Sequence, residues 1–303
     1  VLLRRFNFFS KTSLLGLDIQ SRAIRLTRLN KKCMDKIEQL VERALPENVF
    51  TEGKVIQWDI LRTHLSQLVI EQHLHGLEVA ICLPANLVRM QRISLPSGLS
   101  ETEIATEIRI HLQRDLPGMT DALCIDFSVL DRNKNVSEIF FVAMREEYLL
   151  QYTECVEAAG LRVNVIDVDV CAITRAANRV LPVLIPNKAY ALLYVTDNDA
   201  FLVGFERETI AFHQYWELIK LENFSIQLND YLQLNFSPNK QVEATDLFLY
   251  GIDKNAIALN NRSVMIHEID PFSKIKFLGD KPKGSLSNYL LAYGLAMRQR
   301  TLW

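Results

Sequence analysis

Few side chains in this 303-residue sequence have the spacing that chemistry demands. His73 and His75 alternate as two metal ligands on one strand face would, but no third ligand lies near them. They close an apolar helical pattern just before Gly76, so histidines at the negative end of a helix dipole are the simpler reading. His64, His111, His213 and His267 have no triad-like context, and no nucleophile-elbow sequence occurs. A glycine-rich phosphate loop and a dinucleotide fingerprint are both absent from the sequence. Cys33, Cys82, Cys124, Cys155 and Cys171 have neither metal-ligand nor redox-pair spacing. Most sit on apolar stretches, which suits buried, reduced thiols in a reducing compartment. Asp18 ends an apolar run, where a short acidic side chain bonds its own turn. Arg89, Arg92, Arg109 and Arg114 make one region locally basic. That region is either a solvated surface or a patch for an acidic or polar partner strand. Aromatics are not interleaved with these arginines as in a base-stacking platform. The net charge of −2 and pI of about 6.4 give no global positive field, so no nucleic-acid partner is expected.

The elements that must position these residues are legible in the apolar pattern. Hydrophobic residues make up 49% and charged residues 23%, a balance that excludes intrinsic disorder. No apolar run approaches the roughly 20 residues of a membrane-spanning helix. The opening VLLRRFNFFSKTS lacks a continuous apolar core and does not read as a signal peptide. It reads as a tail over 1–13, either frayed or docking weakly at a membrane surface or partner. Residues 14–30 alternate on both sides of a polar break at Gln20–Arg22, a β-hairpin, with a third strand over 36–45. Leu61, Leu65, Leu68 and Val69 define a helix over 57–73, and 77–84 is a buried strand stopped by Pro84. The same order recurs about 175 residues later: a hairpin over 189–206, a strand over 209–214, a helix through Ile226–Leu234 and a strand over 246–252. A duplicated α/β domain is the economical explanation.

Between the copies lies a different module. Residues 88–96 read as a strand and 100–117 as the best helix in the chain. Its capping box is Ser100 with Glu103, its apolar stripe Ile104, Ile108, Leu112 and Leu116, and its stop Pro117. Strands over 123–130 and 138–144 flank a turn at 131–135, and a helix over 145–159 ends at Gly160. A strand over 163–169 and a helix over 170–180 return to the first copy, and the two-proline stretch 181–188 links the copies.

Four stretches carry a resemblance to a known family. They are LLGLDIQSRAIRL, EIRIHLQRDLPGMTDALCIDFSVL, VAMREEYLLQYTECVEAAGLRVNVIDVD and YLLAYGLAMR, in that order over most of residues 14–298. The chain thereby resembles the type IV pilus assembly protein PilM family, relatives of the cell-division protein FtsA. The resemblance implies an α/β, actin-like ATPase fold of duplicated ribonuclease-H-like lobes with an inserted strand–helix–strand–strand module. The expected layout is a tail over 1–13, a first lobe over 14–86 plus 163–182, the module over 87–162, and a second lobe over 186–303. It further implies ATP between the lobes and a cytoplasmic place under the inner membrane. The implied partner is the short cytoplasmic tail of a PilN-like membrane protein, bound between the first lobe and the module, with other pilus or secretion platform components beyond it.

The phosphate turns depart from that pattern. The family's Asp-x-Gly stands here as Asp18-Ile19-Gln20, with Ser21 next. The second turn is Tyr194-Val195-Thr196, without aspartate or glycine. Glycine belongs there because any Cβ blocks close approach of backbone N–H groups to phosphate. Asp197 and Asp199 would place negative charge near a polyphosphate without a clear basic partner. On the adenosine side only Gly251 follows Tyr250, and Gly294 sits in a helix, where it serves packing equally well. Asp18 would hold a magnesium-bound water, as its counterpart does in the family, or simply bond its own turn. Gln214 is followed too soon by the next helix for the subdomain that walls the cleft in the actin-like plan. The expectation is therefore a scaffold without productive ATP hydrolysis and with no cofactor. The alternative is an ATP-binding ATPase with atypical turns, and a third reading is self-assembly into filaments. Leu83, Pro84, Arg89, Gln91, Asp167 and Asp169 are the expected partner-groove residues, chosen by their position at the lobe–module junction.

Overall fold

The computed structural model describes residues 15–51, 53–115, 123–133, 135–181, 189–206, 209–218, 221–235, 244–257, 259, 264–282 and 284–298. The tail over 1–13, the helix stop at Pro117 and most of the link over 181–188 lie outside the described residues.

Alternating apolar residues build the opening strands Leu15–Ile19 (β1), Ala23–Asn30 (β2) and Cys33–Ala44 (β3). The short pair Phe50–Thr51 (β4) and Lys54–Val55 (β5) leads into Trp58–Glu71 (α1), which buries Leu61, Leu65, Leu68 and Val69 on one stripe. Glu78–Leu83 (β6) follows. The module comprises Val88–Pro96 (β7), Glu101–Asp115 (α2), Leu123–Arg132 (β8) and Val136–Arg145 (β9). Its capping box forms as expected: Glu103 Oε2 accepts from Ser100 N–H at 2.8 Å, and Ser100 Oγ accepts from Glu103 N–H at 3.3 Å. Glu146–Ala158 (α3), Arg162–Val168 (β10) and Asp169–Ala177 (α4) return the chain to the first lobe. The second lobe runs through Ala189–Val195 (β11), Asp199–Glu206 (β12), Thr209–Glu217 (β13), Leu221–Asn235 (α5), Ala244–Tyr250 (β14), Met265–Glu268 (β15) and Lys276–Phe277 (β16). A 3-10 turn at Leu286–Tyr289 continues into Leu290–Ala296 (α6).

Two sheets repeat one plan. In the first, β1–β2 and β2–β3 pair antiparallel, while β1–β6 and β6–β10 pair parallel. In the second, β11–β12 and β12–β13 pair antiparallel, while β11–β14 and β14–β15 pair parallel. Each sheet therefore has its first three strands as a meander and its fourth and fifth added parallel on the other side. This is the duplicated, actin-like architecture that the family resemblance implied. The module forms a separate three-stranded sheet, β7-β9-β8, with its own core of Ile104, Ile108, Leu112, Ile139 and Phe141.

The C-terminal segment departs from the expected layout. Residues 286–297, expected with the second lobe, pack against α4, β1 and β2. The contact is backbone to backbone: a Cβ on Gly16 would stand 1.9 Å from the Ala292 carbonyl oxygen, and one on Gly294 would stand 2.0 Å from that of Ala172. The two-residue β16 also leaves the second lobe's stretch of chain to extend the first sheet beside β3. One continuous apolar core consequently runs from the first sheet through α4 and α6 to Tyr190, Leu192, Tyr194, Phe201 and Tyr250 of the second.

Candidate functional site

The lobes meet over a row of charges built by strand register. Asp18 on β1 lies directly opposite Arg25 on β2, and Arg25 directly opposite Glu42 on β3. Arg25 alternates with Ile24 and Leu26, the pattern of a strand with one wet face, yet it is 3% exposed, and α6 with the turn before it packs on β1 and β2. Its Nε donates to Glu42 Oε2 at 2.6 Å. Asp18 accepts from Gln20 Nε2 at 2.9 Å. Burial pushes the Asp18 carboxyl up to about 7, against the opposing pull of Arg25 and of the Gln20 hydrogen bond. Asp199 of the second lobe, also buried, is raised by desolvation as well, while the Tyr215 hydroxyl at 2.7 Å and the charge of Arg25 act the other way. Arg25, far away in sequence, is thus the positive charge that acts on Asp199.

The second turn spends its donors on itself. Thr196 N–H donates to the Asp199 carbonyl at 2.8 Å, and Thr196 Oγ1 accepts from Asn198 N–H at 3.2 Å and from Asp199 N–H at 2.9 Å. Asp197 N–H goes to Asn288 Oδ1 at 3.3 Å. All four amides between Thr196 and Asp199 are therefore engaged within the chain. In the first turn, Gln20 N–H donates to the Ala23 carbonyl at 3.0 Å.

Aromatic side chains occupy the space beside these turns. Tyr194 is stacked between Phe201 at 5.6 Å and Tyr250 at 6.2 Å, ring centre to ring centre, and its hydroxyl donates to the Ser287 carbonyl at 2.7 Å. Gly251 follows with φ +95°, and a Cβ there would stand 1.8 Å from the Val195 carbonyl oxygen. Gly251 and Gly294 are thus positions of close backbone approach, with Val195 and Ala172 respectively.

Beside the first turn lies a cavity of about 20 Å³, the size of one water molecule. Ser21, Asp169, Pro84, Asn86 and Tyr215 are among its lining residues, so the structure brings Ser21, Pro84 and Asp169 together. The Ser21 hydroxyl is buried without a hydrogen-bond partner among the described residues.

Of the other expected groove residues, Leu83 and Asp167 lie at the paired ends of β6 and β10, and Arg89 and Gln91 on β7. Leu83 is interior, paired in register with Val168. Asp167 is 6% exposed and binds Arg175 and Arg298, each at 2.7 Å, tying β10 to α4 and to the end of α6. Arg89 is exposed and Gln91 half-buried on β7, an edge strand of the module sheet, and their side chains meet at 3.2 Å. His73 follows α1 with φ +55°, and the described residues hold no His, Cys, Asp and Glu cluster suited to a metal ion. All five cysteines are free thiols. Arg25, Tyr215, Ser287 and Asn288 escaped the sequence reading. Only Arg25 had a signal there: a charged residue facing Asp18 across a tight hairpin.

Comparison with known proteins places this geometry. Residues 16–206 match the family model described as type IV pilus assembly protein PilM. The fold is shared with a solved PilM-PilN type IV pilus biogenesis complex at 18% identity, with 95% of this chain and 98% of that one covered and a TM-score of 0.72. It is also shared with the cytoplasmic domain of EpsL, an inner-membrane component of the type II secretion system of Vibrio cholerae. That match has 13% identity, 94% and 95% coverage and a TM-score of 0.54.

Proposed function

This chain belongs to the type IV pilus assembly protein PilM family, and on that premise we propose that it is an assembly scaffold at the cytoplasmic face of an inner membrane. It docks the cytoplasmic tail of a PilN-like membrane protein and does so without hydrolysing ATP. No helix among the described residues is long and apolar enough to cross a membrane, and the attachment proposed is through the partner. The match to the PilM-PilN complex over nearly the whole of both chains supports the choice of partner.

The observation that carries the non-catalytic part is the turn at Thr196. A polyphosphate is held by backbone N–H groups that have nothing else to bind. Here Thr196 Oγ1, the Asp199 carbonyl and Asn288 take them all. Asp18 remains at the strand end, where it accepts from Gln20 Nε2 and lies opposite Arg25 in register. These residues do not fit magnesium and a triphosphate.

The tail is expected at the edge of β7, where an extended segment gains main-chain hydrogen bonds and Pro84, Arg89 and Gln91 border its path. Calorimetry with the N-terminal peptide of the partner tests this. Saturable binding that weakens on Arg89→Glu supports the proposal. A folded protein that ignores the peptide sinks it. Titration with magnesium and ATP tests the second part, where saturable micromolar binding lost on Asp18→Ala would restore the ATPase reading.

A further inference from the structure

Strands β1, β6 and β10 lie side by side and parallel, and Val168 against Leu83 is the last rung between β6 and β10. Beyond these rungs the three chains part, and the small cavity opens at their carboxyl ends. Ser21 reaches it from the turn after β1, Pro84 and Asn86 from the corner after β6, Asp169 from the start of α4, and Tyr215 from β13 of the second lobe. Its volume of about 20 Å³ is that of one water molecule. Ser21 is 7% exposed, and its hydroxyl is shielded from solvent with no hydrogen-bond partner among the described residues. A buried hydroxyl left in that state is costly. The groups beside it are mostly acceptors. Asp169 is a carboxylate, 2% exposed, whose Oδ1 accepts from the Val170 N–H at 2.6 Å. The Tyr215 hydroxyl has already given its proton to Asp199 Oδ1 at 2.7 Å.

We propose that this cavity is a binding site for one ordered water, which accepts from the Ser21 hydroxyl and donates to Asp169. It ties the turn after β1 to the start of α4 at the point where the strand ladder ends. The occupant has to take a proton from a hydroxyl and give one to an acceptor oxygen, and water does both. A metal cation binds oxygen lone pairs but leaves the Ser21 proton without an acceptor. A halide-sized anion would take that proton, but the buried Asp169 carboxylate repels it. The inference depends neither on the pilus partner nor on the absence of ATP hydrolysis, since it needs only the lining residues and their burial.

Two measurements decide it. A high-resolution crystal structure of the full chain should show one density peak about 2.6–3.0 Å from Ser21 Oγ and from a carboxylate oxygen of Asp169. An empty cavity overturns the proposal. So does a peak ringed by five or more oxygens at about 2.3–2.6 Å, or one with anomalous signal after a rubidium soak, because either marks a cation. The same structure of Ser21→Ala should show the peak weakened or lost, and an unchanged peak means that Ser21 does not hold the occupant. The second measurement is the sign of a change in melting temperature. With water bound, Ser21→Ala loses a hydrogen bond and deprives the water of a partner, so the variant should melt about 2–4 °C lower. With a dry cavity, alanine instead removes an unpaired buried hydroxyl, and the variant melts at the same temperature or higher. That second outcome also overturns the proposal.

Discussion

Asp197 and Asn288 exchange two hydrogen bonds across the lobe junction, one from the Asp197 amide to Asn288 Oδ1 and one from Asn288 Nδ2 to Asp197 Oδ2. Asn288 is 3% exposed, and the pair fastens the β11–β12 turn to the approach of α6. Both polar ends are satisfied only while the two segments remain together. Urea unfolding of Asp197→Ala, Asn288→Ala and the double variant should therefore give a coupling energy of about 1 kcal/mol. Additive effects would mean that the Asn288 Nδ2–Asp197 Oδ2 bond is not formed in solution, because alanine keeps the Asp197 amide.

Gly294 faces the Ala172 carbonyl at a distance that leaves no room for a methyl group. Gly294→Ala should separate α4 from α6 and lower stability by about 2–3 kcal/mol, although alanine is the better helix former. Chemical denaturation checks this. A stabilised variant would show that the helices cross less closely.

Asp18 sets an expectation for pH. Its carboxyl is pushed up to about 7 in the folded chain from an ordinary value of 3.8. The folded state therefore binds the proton more tightly than the unfolded one. This group adds stability as pH falls from about 7 toward 4, and that stability is lost as pH rises through 7. Asp18→Asn removes the dependence. The variant should gain on wild type by about 1–3 kcal/mol between pH 5 and pH 8. A flat difference would place Asp18 in contact with water.

Asp167 holds Arg175 and Arg298 at once. Asp167→Asn keeps the shape but strands two partly buried guanidiniums, and a loss of about 2–3 kcal/mol is expected. Hydrogen exchange should show the end of α6 loosening first.

Arg89 is exposed on the edge of β7 and contributes charge without contributing core. Arg89→Glu should leave the melting temperature within a degree or so of wild type while weakening the tail peptide about fivefold or more, with a reduced salt dependence. A change in melting temperature without a change in affinity would assign Arg89 to the fold.

Much of the scaffold was legible in the residues alone. The strand over 88–96 agrees with β7 to the residue, and the Ser100 box opens α2 where the capping rule places it. The hairpin break at Gln20–Arg22 separates β1 from β2. Local rules suffice there, because period, caps and turns act over a few neighbours. The short strands β15 and β16 escaped notice. Two to four residues carry no period, and their pairing with β14 and β3 is decided by distant partners.

The sequence by itself determined the longer elements, the duplication and the missing glycines at the two turns, since those depend on side-chain type and near-neighbour spacing. Only the tertiary structure decided that Arg25 is buried, that α6 closes on the first sheet, and that Asn288 takes the Asp197 amide. Each of those joins residues far apart in the chain. Desolvation, which turns a surface-looking arginine into an interior one, exists only once distant segments such as α6 have packed on β1 and β2.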